Sequence, residues 1–202
     1  MPDEDDLTVR SPERTVTLTD AVVAIAMTLL VLPLTELVPD VEPDRLGPWI
    51  GEHRDVFIGF VVSFLVIYVF WGAHSATFAR IERMTPALRR LNMFWLLGVA
   101  FLPFPTALVG RHATTSTVPF YLGTLTVVSL LTNGMAVQAW RTSGSVAAAQ
   151  RTRWSLSRAH SLWITPLVLG ACALLGAGYP AAGLYGVLAL VPARVVEGWL
   201  RR

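Results

Sequence analysis

Hydrophobic residues in this chain fall in long blocks, not in the alternating or amphipathic patterns of soluble strands and helices. A helix that crosses a bilayer needs about 20 mostly apolar residues, and six blocks meet that rule, at about 17–38, 55–79, 91–110, 118–140, 161–178 and 181–199. The breaks between them have physical causes. PDVEPDRLGPW (39–49) sets three prolines and four charges after the first block. RIERMTPALRR (80–90) has four arginines around a proline, and RHATTSTVP (111–119) divides the third block from the fourth. RTSGSVAAAQRTRWSLSR (141–158) is polar, and GAGYP (176–180) makes a tight turn before the last block. The pattern predicts an all-α integral membrane protein with one six-helix domain over 1–202. No soluble domain and no internal repeat is evident.

Composition agrees with that reading. The chain is 53% hydrophobic and 15% charged, with a mean hydropathy of +0.54. A soluble domain carries about 25% charged residues. The basic pI, near 9.1, does not indicate a nucleic-acid partner, because the arginines lie between the apolar blocks and form no single patch. They report orientation instead. Twelve arginines fall in the N-terminal tail, the 80–90 and 141–158 loops and the C-terminal pair, against Arg45, Arg54 and Arg111 on the other side. Positive residues stay inside, so both termini are expected in the cytoplasm and the protein in the cell membrane. The acidic start MPDEDDLTVR does not suit a signal peptide, so the first block is expected to be retained as a span.

The first block carries the unusual residues. At 100° per residue, Ala21, Ile25, Thr28, Leu29, Leu32 and Glu36 share one stripe, while Asp20 points roughly 140° away from Ile25. The stripe fits ordinary helix packing as well as a lumen. Asp20 fits a first-turn charge on the helix dipole, and it also fits an interior partner, since ionisable residues within spans face partners or water. His53, His112 and His160 have no metal-ligand spacing, Cys172 has no partner for a disulfide, and no nucleophile–base pair lies within the spans. An enzyme is not expected.

RTVTLTDAVVAIAMTLLVLPL (14–34) resembles the opening signature of the transmembrane protein 175 family of potassium channels. That signature is an arginine, three residues, Phe-Ser-Asp and an Ala-Ile-x-x-Thr-Leu-Leu run. Arg14, Asp20, Ala24, Ile25, Thr28, Leu29 and Leu30 match it, with Leu18 and Thr19 in place of the Phe and Ser. FWGAHSATFARI (70–81) is similar to the family's second span, and LNMFWLLGVAFLPFPTAL (91–108) to its third. The motifs cover roughly the first half of the chain.

The resemblance implies six helices per subunit, four subunits, and a pore lined by the first helix. Ile25 then becomes the main constriction, Leu29 and Leu32 the apolar rings beyond it, and Thr28 the hydroxyl ring that favours potassium weakly over sodium. A narrow apolar ring can gate by dewetting. Arg14, Asp20, His74 and Asn92 are implied to form a polar network that braces the helices. Glu36 would make an acidic ring at the outer vestibule, unless Pro33 kinks the helix and rotates it away. Potassium is the permeating ion, no cofactor is implied, and the partners are three further copies and membrane lipid. There is no TVGYG filter and no arginine-rich voltage sensor. The rival reading is a proton-coupled secondary transporter that uses Asp20 and His74 as its relay.

Overall fold

Two prolines decide where the apolar blocks bend. In the computed structural model, which describes residues 12–41, 43–81, 84–141 and 156–186, the first block forms α1 (Pro12–Leu29) and a single turn, α2 (Leu32–Thr35). Pro33 has no N–H to offer the carbonyl of Leu29, and its ring crowds that carbonyl. The chain tightens at Leu30 and Val31, where the Val31 N–H donates to the Thr28 carbonyl at 3.2 Å. The continuous span expected over 17–38 is therefore two pieces. The whole stretch Glu13–Asp40 is still long and apolar enough to cross a membrane.

After a short helix, α3 (Leu46–Glu52), come α4 (Arg54–Phe78), α5 (Pro86–Phe101), α6 (Pro103–Arg111), α7 (Thr117–Arg141) and α8 (Leu156–Gly176). Pro103 repeats the effect of Pro33. It splits the third block into α5 and α6, with Leu102 N–H turning back to Val99 at 3.2 Å. That block also starts earlier than the expected 91. Thr85 accepts a hydrogen bond from the Leu88 N–H at 3.2 Å, and Pro86 fills a first-turn position that needs no donor.

Four stretches among the described residues are long and apolar enough to span: Glu13–Asp40, Arg54–Phe78, Pro86–Arg111 and Thr117–Arg141. The fifth block forms α8, whose apolar part, Trp163–Gly176, is shorter. A helical segment over 180–186 opens the sixth block, and the remainder of that block lies outside the described residues. So does most of the 141–158 loop.

α7 is the centre of the bundle and packs on α4, α5, α6 and α8. Val118, Leu122, Leu125, Val128 and Met135 line its length and are almost wholly buried. Three buried hydroxyls tie it to its neighbours: Ser63 bonds Tyr121 Oη at 3.0 Å, and Thr106 donates to Ser63 at 2.9 Å. Such bonds hold well in an apolar bundle, where no water competes for them. Leu97 on α5 and Leu174 on α8 are 67% and 80% exposed, as suits surfaces that meet lipid. α1 lies against α4 and α5 at the edge of this core.

Candidate functional site

α1 and the turns that follow it divide their residues between two faces. Thr19, Val23, Ala26, Leu30 and Pro33 recur at helical spacing and are buried against the bundle. The opposite face is bare. Ile25 is 58% exposed, Leu29 39% and Leu32 49%, with Ala21 and Thr28 exposed between and below them. The structure thus brings Ile25, Thr28, Leu29 and Leu32 onto one unpartnered stripe. The Thr28 hydroxyl donates its proton to the Ile25 carbonyl at 2.8 Å. That bond uses its one proton and leaves the oxygen able to accept.

The buried face is held by polar contacts. His74 on α4 is fully buried, stacked between Phe78 (ring centroids 4.1 Å) and Trp95 (4.6 Å). Its Nε2 lies 2.7 Å from Asn92 Oδ1. An amide oxygen can only accept, so Nε2 carries the proton. The Asn92 amide in turn donates to the Thr19 hydroxyl at 3.2 Å, and Thr19 donates to the Thr15 carbonyl at 2.8 Å. A chain of hydrogen bonds therefore runs from α4 through α5 to α1. His74 Nδ1 is buried and has no partner among the described residues.

Asp20 and Arg14 are placed differently from the single network that the motif implied. Asp20 Oδ1 accepts from the Trp71 indole N–H at 2.7 Å, which ties α1 to α4 by a second, separate contact. Arg14 is exposed and does not pair with Asp20. The physical reason is helical spacing. Thr19 faces the bundle and Asp20 is one residue round, so they reach different partners. Arg14 lies nearly two turns below Asp20.

Sequence reasoning missed Trp71, although a tryptophan near a membrane boundary usually finds a partner for its N–H. It also missed Thr132, which accepts the Trp95 N–H at 2.8 Å, and Arg111, which pairs with Glu36. Glu36 closes α2, and its carboxylate meets Arg111 at the end of α6. Both remain partly exposed.

The family described as the endosomal/lysosomal potassium channel TMEM175 has a model that matches residues 14–103. Those residues include every contact just described on α1, α4 and α5 except Thr132 and Arg111. Over residues 14–103 the chain matches the TMEM175 family. A potassium channel of Streptomyces collinus is 38% identical over 94 residues, covering 46% of this chain and 45% of the relative. A potassium channel of Chamaesiphon minutus is 35% identical over 112 residues, covering 52% and 54%. The human endosomal/lysosomal proton channel TMEM175 is 26% identical over 103 residues, covering 50% of this chain and 20% of that protein. The matched stretch is thus about half the length of the bacterial relatives and a fifth of the human one. These relatives are named as ion channels, and none as an enzyme.

The fold likeness extends further along the chain. The crystal structure of a lysosomal potassium-selective channel TMEM175 homolog from Chamaesiphon minutus superposes with a TM-score of 0.77 at 22% identity, covering 92% of this chain and 97% of that one. The all-helical, multi-pass membrane architecture is shared.

Proposed function

We propose that this chain is a potassium-permeable cation channel whose pore is lined by α1 from four copies. One observation carries the reading: the first block is fastened on one face by Thr19, Val23, Ala26 and Leu30, while Ile25, Thr28, Leu29 and Leu32 are exposed among the described residues. Around a fourfold axis, Ile25 forms the narrowest apolar ring, and Leu29 and Leu32 form further rings beyond it. Thr28 offers four hydroxyl oxygens between them. So few oxygens replace only part of an ion's hydration shell, and the preference for potassium over sodium is accordingly weak. The bacterial relatives named as potassium channels support the choice of ion.

Both termini are assigned to the cytoplasm and the protein to the cell membrane, on the arginine asymmetry of the loops. The rival, a proton-coupled transporter, needs a proton to pass between Asp20 and His74. Its relay is weakened by geometry, because Asp20 is bonded to Trp71 and His74 to Asn92. Reconstitution in a planar bilayer under a potassium gradient decides between them. Sustained unitary currents are expected. Coupled, saturable uptake without unitary currents would establish the transporter.

A further inference from the structure

Beyond the break at Pro33, the carboxylate of Glu36 is not free but turns to Arg111 on α6 of its own bundle. Glu36 caps α2 one turn beyond Leu32, its N–H bonded to the Leu32 carbonyl at 3.1 Å. Its side chain is 62% exposed, and it pairs with Arg111, whose side chain is 46% exposed. Arg111 ends α6, where the unsatisfied carbonyls of the helix favour a cation. Neither charge is buried, so the pair contributes little to stability. Its effect lies in the field at the mouth.

We propose that Arg111 is a positioning residue that sets the cation-attracting power of Glu36 at the outer mouth, an inference that rests on α1 lining the pore. Four free carboxylates near an axis act as a net negative charge and concentrate cations. Four carboxylates each beside a guanidinium act as dipoles, whose field falls off faster with distance. Arg111 therefore holds potassium entry below what the Glu36 ring alone would support. Removing either partner exposes the charge of the other, so the two single changes have opposite signs.

The test is single-channel current in planar bilayers with symmetrical potassium chloride, on full-length protein whose assembly is checked by size-exclusion chromatography. Surface charge acts over about 30 Å at 0.01 M salt but only about 3 Å at 1 M. At low salt, Arg111→Gln is expected to raise current entering from the outer side roughly twofold to threefold, and Glu36→Gln to lower it by a similar factor. At 1 M both should approach the unmodified channel. Arg111→Lys should keep its behaviour, and the double neutral variant should return close to it. If Arg111→Gln does not assemble, the test is carried by the double neutral variant, which should return close to the unmodified channel where Glu36→Gln alone lowers the current. Shifts of the same sign, shifts that persist at 1 M, or silence in both variants would overturn the proposal. Ile25→Asn is measured alongside. If it changes conductance while the mouth variants are silent, this inference alone fails; if all are silent, the pore assignment fails with it.

Discussion

The indole N–H of Trp71 donates to the carboxylate of Asp20 across 2.7 Å, fastening α1 to α4 at a point separate from the His74–Asn92–Thr19 chain. Two fasteners one residue apart on α1, reaching different partners, fix both its position and its rotation. Rotation is what matters for a lining helix. A turn of 100° replaces one residue on the exposed stripe with its neighbour.

Trp71→Phe keeps the ring but removes the donor, leaving the Asp20 charge without its bond. A hydrogen bond to a charged group contributes about 1.5–3 kcal/mol. The contact is exposed, so the variant should lose thermal stability in detergent by less than that range. Asp20→Ala should lower stability and the yield of assembled protein. An Asp20→Ala protein that assembles normally and loses only a pH response would favour the proton-relay reading instead.

Asn92→Ala strands the buried His74 Nε2–H and removes the donor to the Thr19 hydroxyl, which keeps its own bond to the Thr15 carbonyl. Each unsatisfied buried group costs about 1–3 kcal/mol. The loss should exceed that of Thr19→Ala, which keeps the His74 bond and strands only the amide. Chemical or thermal denaturation of the two variants tests the order, and equal losses would show that the chain of bonds does not act as a unit.

The roles of Ile25 and Thr28 separate in electrical recordings. Ile25→Asn puts polar groups at the narrowest ring, which favours wetting, and conductance should rise. Thr28→Val keeps the shape and removes the hydroxyls, a contact of about 1 kcal/mol, so the potassium preference should fall several-fold toward unity. Bi-ionic reversal potentials with potassium and sodium measure this. Silence in both variants would mean that the stripe does not line the pore.

A packing test lies away from the pore. A Cβ on Gly98 would come within 2.8 Å of Val128 Cγ2, and valine in a helix has little rotamer freedom to yield. Gly98→Ala should cost about 1–3 kcal/mol from overpacking, partly offset by the better helix propensity of alanine. Val128→Ala should cost less in the Gly98→Ala background than alone. Additive losses in the double-mutant cycle would refute the contact.

The apolar blocks alone determined that the chain is helical and crosses a membrane, because a run of about 20 apolar residues has few other stable environments. Sequence marked Pro33 as a site where the first helix could kink, but proline alone does not say where a helix ends: Pro33 and Pro103 interrupt their blocks, whereas Pro166 stays inside α8. The spacing of Ile25, Thr28, Leu29 and Leu32 put them on one stripe, for the period of a helix is local. Which face of α1 would be bare was not local. It depended on Thr19, Val23, Ala26 and Leu30 finding α4 and α5, which are more than 20 residues away in the chain. The partners of the charged and polar residues were likewise decided only in three dimensions. Asp20 reaches Trp71, 51 positions on, in place of Arg14 on its own helix, and Glu36 reaches Arg111, 75 positions on. A side chain bonds whatever the packed neighbour presents, and that choice is made by the crossing of helices, which no single stretch of sequence encodes.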